Sequence, residues 1–308
     1  MLSMTGAPYH VCLPTPEQPC VEVWAGHQLQ FAGMRAHSWQ DDLAVELRAA
    51  LHTLAPDQVG CLRGTYATTD SVACDVENRL FTNPGDAIPR RFRSILFERS
   101  PSPPPEPPAP TDRVAGQLHY YRYDLGDGWR CWEPDQRLAT WNRVPRLLAD
   151  DGSARPAWLA MKSAAELGLV AATGLLNSTQ DFGVRLVVHA TRNGPRSAPA
   201  ISEPLIDGVI AAFHAADPRL EVAAILAARL GAQMPDPSEA DIERFVRTEG
   251  PGPLFPGSPF RLAGAVVHLS PDDERCVAGH VSIQQNALGR YPEISGELFA
   301  VNPRPSEA

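Results

Sequence analysis

The sequence is nearly without lysine: of 27 basic residues in 308, all but Lys162 are arginine, and 36 acidic residues bring the formal net charge to −9. An acidic chain does not attract polyphosphate as a whole. Contact with nucleic acid therefore needs a local group of arginines acting against the overall field. No stretch approaches the ~18–20 consecutive apolar residues of a membrane span, and Met1 to His10 show no basic region followed by an apolar core. A soluble cytoplasmic protein with no membrane partner is the expectation.

Cysteine is present but unpatterned. Cys12, Cys20, Cys61, Cys74, Cys131 and Cys276 include no Cys-x-x-Cys pair, and a chain of this length does not need disulfide staples, so reduced, mostly buried thiols are expected. Nucleophile and nucleotide motifs are missing as well. Without a Gly-x-Ser-x-Gly elbow, a Gly-Lys-Ser/Thr loop or a strand-linked Gly-x-Gly-x-x-Gly, serine hydrolases, P-loop enzymes and dinucleotide oxidoreductases are disfavoured. The segment from Asp124 to Gly128 reads as a tight turn, because the downstream ligands of a calcium loop are absent.

What is present is a 44% hydrophobic content, sufficient for a sizeable core. Segments with β-branched or aromatic alternation are Val21–Trp24, Gln28–Phe31, Cys61–Thr68, Val184–Ala190, Gly264–Leu269, His280–Ile283 and Glu297–Val301. Helices are predicted from Ser38 to Leu54, from Arg155 to Leu167, from near Ser202 through Phe213, from Asp217-Pro218 to Leu230, and from Ser238 to just before Gly250. The mixture predicts an α/β or α+β fold, with mixed sheets and flanking helices.

The run from Ser100 to Pro110, seven of whose residues are proline, removes backbone donors and lies outside any regular element. It ends an N-terminal half, 1–110, with 111–308 as the second. Alternatively it is an excursion between two strands, Phe92–Glu98 and Gln117–Asp124, that pair across it. A proline-rich ligand for a partner's groove is a further reading. The halves also share an order: Cys61–Thr68 leads through a polar loop into Asp75–Phe81, and Val184–Thr191 leads through another into Ser202–Phe213. Each is strand, loop, acidic element, which predicts two related halves.

The acidic elements are the candidate chemistry. Asp75 and Glu77 share a face only in an extended or turning segment, and a hard cation needs carboxylates from more than one segment. Asp207 and Asp217 are the candidates to complete the set, although Asp217, directly ahead of Pro218, is explained as well by a helix N-cap. The pattern Asp75-Val76-Glu77-Asn78, with Glu203-Pro204-Leu205-Ile206-Asp207 and then Asp217, resembles the RusA-type Holliday junction resolvases, small Mg²⁺-dependent endonucleases that act as dimers. Glu77 stands for that family's second aspartate. Glu203 and Phe81 stand where it has lysine, and Ser197 and Pro199 occupy the acidic positions of the second copy. The resemblance implies a pseudo-dimer within one chain, with Asp75, Glu77 and Asp207 catalytic and Mg²⁺ or Mn²⁺ held by these three and Asp217.

Two other groups compete. From His119 to Trp141, aromatic and arginine side chains interleave, and Arg122, Trp129, Arg130 and Trp132 form a candidate face for nucleic acid or a protein partner, on which reading the chain is a non-catalytic binding or assembly protein and not a metal-dependent phosphodiester hydrolase. Such residues also make ordinary half-buried strands. His268, Asp272, Asp273, Glu274, Cys276 and His280 form a cluster of types that bind a transition metal, and Cys276 with His280 has a zinc-like spacing, but a second Cys/His pair is absent. His268 and His280 are therefore expected on neighbouring strands, joined by a turn at Pro271–Glu274.

Overall fold

The computed structural model describes residues 6–305 apart from 32–37, 56, 58–59, 71–73, 91, 114–115, 146–154, 174–175, 178, 193, 232–237, 265 and 287–290. In chain order the elements are β1 (Tyr9–Cys12), β2 (Cys20–Ala25), α1 (Trp39–Leu54), β3 (Leu62–Thr68), β4 (Ser94–Arg99), β5 (His119–Leu125), β6 (Trp132–Pro145), α2 (Arg155–Glu166), β7 (Val170–Ala172) and β8 (Phe182–Ala190). They continue with α3 (Ala198–Ala212), α4 (Leu220–Gly231), α5 (Glu239–Arg247), β9 (Phe260–Ala263), β10 (Val266–Leu269), β11 (Cys276–Gln285) and β12 (Glu293–Pro303). The expected mixed sheet with flanking helices is present.

Ten strands form one sheet in the order β1-β2-β5-β3-β4-β11-β8-β12-β6-β7. Outward from the centre the order is the same over four strands on each side, and only the outermost differ, β1 preceding β2 whereas β7 follows β6 and α2. In the first half β3 runs parallel to β4 and antiparallel to β5, which pairs with β2; in the second β8 runs parallel to β11 and antiparallel to β12, which pairs with β6. The connections match too, α1 leading into β3 as α2 leads towards β8. The halves meet where β4 and β11 pair antiparallel with Leu96 opposite His280, so a pseudo-twofold axis passes through the centre of the sheet. The chain crosses from one half to the other at 126–131, after β5, which pairs with β2 and β3 of the first half although it lies beyond the expected boundary at residue 110. The proline run lies between β4 and β5, held by the Trp24 indole, which donates to the Pro105 carbonyl at 3.0 Å.

One face of the sheet packs against the helices, through residues such as Val21, Val23, Leu62, Ile95, Phe97, Tyr121, Tyr123, Val184 and Leu186 together with Leu43, Leu47, Leu205 and Val209. Alternate residues, Leu96, Val277, Phe299 and Val301, face the other way and are covered by Trp129 and Trp132. At the centre the Phe97 ring fills the space where a side chain at Gly279 would stand, its nearest carbon 2.0 Å from that Cβ position. Local signals explain the helix ends. Ser238 and Asp241 form a reciprocal capping box at α5, and Gly168 beyond α2 has φ +70°.

Four expectations are corrected. Gln28–Phe31 is not a strand: the Leu29 amide donates to the Tyr121 hydroxyl and the Phe31 amide to the Asn83 carbonyl, so its donors are used outside any ladder. The third helix starts at Ala198, because Pro199 tolerates a first turn where no amide is needed. β4 and β5 do not pair across the proline run, since β3 lies between them. His268 and His280 sit in different sheets, His268 on a separate β9–β10 hairpin. Among the described residues, no helix is long and apolar enough to cross a membrane.

Candidate metal centre

The pairing of β11 with β8 decides the site. α3 leaves the end of β8 and folds back along the sheet, and the turn Asp273–Arg275 leads into β11, so Asp207 in α3 is brought beside Asp273. From the other half, the chain leaving β3 enters a short π-helix at Asn78–Thr82, its wide turn closed by the Asn83 amide on the Asn78 carbonyl at 2.8 Å. π-turns are rare and often mark functional positions. Asp75 stands ahead of it and accepts the Asn78 amide on Oδ1 at 3.1 Å. One carboxylate oxygen from each of Asp75, Asp207 and Asp273 lies within 4.8 Å of the others.

Glu77 lies deeper, at 2% exposure. Its Oε1 accepts the Ser202 hydroxyl, while Oε2 has no hydrogen-bond partner. Asn78 donates through Nδ2 to Glu203 at 3.0 Å, and its own buried Oδ1 is likewise without a partner. Buried polar atoms are nearly always satisfied, and an orphan carboxylate oxygen is among the costliest to leave bare. Glu77 Oε2 therefore needs a cation or a proton.

The electrostatics agree with a shortage of positive charge. Burial, then Asp273, Asp75 and Glu203, push Asp207 up to about 9, with Asp207 hydrogen-bonded to Asp273. Burial and Asp75 raise Asp273 to about 7. Burial and Glu203 raise Asp75 to about 6, with Arg79 working the other way. Glu77 is raised well above the ordinary range, by burial first and then by Asp75. Without a cation, Asp207 keeps its proton and shares it with Asp273, because like charges this close cannot all ionise.

The structure thus brings together Asp75, Glu77 and Asp207 and leaves Asp217 out. Asp217 accepts from the Arg219 amide at 3.0 Å, from Arg219 Nε at 2.9 Å and Nη2 at 2.6 Å, and from the Ser258 hydroxyl. Burial opposes its ionisation, but these bonds outweigh burial and hold it at about 2. Sequence reasoning placed Asp273 with His268, Cys276 and His280, or in a turn, and missed its partnership with Asp75 and Asp207, because a pair of acids directly ahead of a strand equally describes a turn.

The arginine and aromatic residues are arranged differently from the expectation. Trp129 and Trp132 are buried at 7% and 5% exposure, the Trp129 indole donating to the Gly279 carbonyl and that of Trp132 to Arg99. They close one face of the sheet and offer no stacking surface. Arg122 and Arg130 both pair with Asp124, at 3.2 and 2.7 Å. Tyr121 and Tyr123 face the helices, so Arg122 and Asp124 lie on the opposite face from the carboxylate cluster.

The three carboxylates, with a fourth behind them, fit a hard divalent cation: all donors are oxygens, they come from three separate segments, and the set is only partly closed by protein. Comparison with protein-family models, curated proteins and solved structures finds no match to this chain.

Proposed function

We propose that the protein is a divalent-cation-dependent phosphodiester hydrolase with one composite centre, related to the RusA-type resolvases as a pair of halves fused in one chain. The observation that carries this reading is the convergence of Asp75 with Asp207 and Asp273, with the unpartnered oxygen of Glu77 buried two residues beyond Asp75. Asp75 comes from the first half and Asp207 and Asp273 from the second, so neither half holds the set alone. At the positions equivalent to Asp75 and Glu77 the second half has Ser197 and Pro199, which supply no carboxylate. One centre per chain follows.

In this reading Asp75, Asp207 and Asp273 ligate Mg²⁺ or Mn²⁺. The ion would supply an acidified water and charge stabilisation for an in-line displacement at phosphorus. Ser202 fixes one oxygen of Glu77, and the other, once a bound cation kept it ionised, would be the acceptor for a proton from water. Glu203 stands where the family has lysine, and its bond from Asn78 keeps it at the edge of the site. Arg79, whose charge acts on Asp75, is the candidate to face a substrate phosphate in place of that lysine.

Calorimetric titration with Mn²⁺ tests the reading. Wild type is expected to bind one ion per chain, and Asp75→Ala to bind at least about a hundredfold more weakly, since an isolated ligand set rarely tolerates loss of one member in three. Equal binding by both proteins, or none by wild type, would overturn the proposal.

A further inference from the structure

On the face of the sheet away from the carboxylates, a cleft of about 610 Å³ is lined by Arg63, Arg130 and Arg304 with Ser100, Ser102 and Trp129. Its floor is tightly built. Asp124 takes Arg63 Nε at 2.7 Å, Arg122 Nε at 3.2 Å and Arg130 Nη2 at 2.7 Å, so three guanidinium groups converge on one carboxylate. Glu22, a second acid in this network, pairs with Arg122 at 3.2 Å and also accepts the Tyr120 hydroxyl. With Glu98, whose charge also acts on Arg130, three guanidinium groups meet three carboxylates, so the floor is charge-balanced. Arg304 adds a fourth, 3.6 Å from the exposed Glu133, and Asp127 is the one acid in the lining.

The loop forming the cleft wall is fixed independently of any ligand. Buried Glu98 accepts the amides of Arg130 at 2.9 Å and Cys131 at 2.8 Å and the Thr65 hydroxyl at 3.0 Å. Arg63 also donates to the Gly128 carbonyl at 2.7 Å, and its guanidinium lies against Gly126, where a Cβ would come within 2.7 Å of Cζ. Arg63 is thereby a rigid base at 12% exposure, whereas Arg130 and Arg304 remain reachable at 40% and 46%.

We propose that this cleft binds the phosphate group of a phosphate ester, with Arg130 and Arg304 on its anionic oxygens above the fixed Arg63. Planar guanidinium forks match phosphate geometry and bind it through paired, charge-assisted hydrogen bonds. The volume suits a nucleotide-sized ligand. A free mononucleotide and one unit of a phosphodiester strand present the same chemistry to it. The site needs no divalent cation and is separated from the carboxylate centre by the thickness of the sheet.

The test is binding by the full chain in EDTA, using inorganic phosphate and AMP by calorimetry and a labelled short single-stranded oligonucleotide by fluorescence anisotropy. Arg130→Glu and Arg304→Glu are each expected to weaken binding by at least about tenfold, the scale of one lost charge-assisted contact. Arg304→Gln is expected to lower the salt slope for the oligonucleotide by about one. Asp75→Asn is expected to leave binding unchanged, which separates this site from the metal centre. Tighter AMP than oligonucleotide binding would identify the mononucleotide as ligand, and the reverse the strand. The proposal is overturned if no probe binds at millimolar concentration, or if both reversals keep wild-type affinity with unchanged circular dichroism.

Discussion

Asp207→Asn is expected to lower Mg²⁺-dependent cleavage of a phosphodiester by about a thousandfold or more, with the fold intact. The substitution keeps the volume of the side chain but removes the charge that the cation needs. Losing several kcal/mol of transition-state charge stabilisation, at ~1.4 kcal/mol per decade, gives that factor. Asp217→Asn is the matched control. Because Asp217 is engaged by Arg219 and Ser258 and stands outside the cluster, its replacement is expected to leave turnover within about twofold and to lower stability by ~1–3 kcal/mol through the partners it abandons. Steady-state turnover of both variants, with urea denaturation beside it, checks the pair. A large loss of turnover in Asp217→Asn would contradict the assignment of ligands.

The second large effect is on stability against pH. In the cation-free folded protein Asp207 titrates at about 9, Asp273 at about 7 and Asp75 at about 6, all raised by burial and by one another. In the unfolded chain the same groups titrate near ~3.9. The folded state therefore holds more protons than the unfolded one across this window, so stability is greatest below it and is lost as pH rises from ~4 towards 9. A fall on the order of 2 kcal/mol between pH ~5 and ~8 is expected, after allowance for the partly exposed edge of the site, which is about 4 °C in melting temperature. Saturating Mg²⁺ or Mn²⁺ should restore this stability at the alkaline end, because the cation binds the deprotonated ligands of the folded state alone. Asp207→Asn is expected to flatten the pH dependence and to melt higher than wild type without cation. Melting curves across pH with EDTA or with Mn²⁺ measure all three, and an apo-protein that becomes more stable on going from pH ~5 to ~8 would contradict the assignment.

Asp75 and Glu77 were singled out by their spacing ahead of Asn78, and Asp207 because an acid between Ile206 and Val209 on a largely apolar helix lacks a packing reason to be there. Asp273 was not legible, since Pro271-Asp272-Asp273-Glu274 carries a local turn signal that its long-range role does not disturb. Its contribution depends on β11 lying parallel to β8, a pairing made across about 90 residues that no local pattern encodes. Asp217 shows the converse. Its partner Arg219 is two residues away, and a local bond accounts for it.

The shared order of strand, loop and acidic element was visible in both halves, and the sheet carries the same order over four strands outward from β4 and from β11. The pairing of strands was harder. β4 and β5 are consecutive and flank a flexible-looking loop, yet β3 separates them, because a parallel β3–β4 unit leaves the far side of β3 open for β5. The stretch from His119 to Trp141 illustrates a different difficulty. Its arginines and tryptophans have the composition of a binding face, but a covering loop buries Trp129 and Trp132, and the arginines gather on Asp124. What remains open there is an arginine cleft without an aromatic platform.

The most direct measurement of the central claim is anomalous diffraction from crystals grown or soaked with Mn²⁺. A single strong peak is expected among Asp75, Asp207 and Asp273, with carboxylate oxygens from all three at ~2.0–2.4 Å. A map with no peak there, and Asp207 still sharing its proton with Asp273, would contradict it.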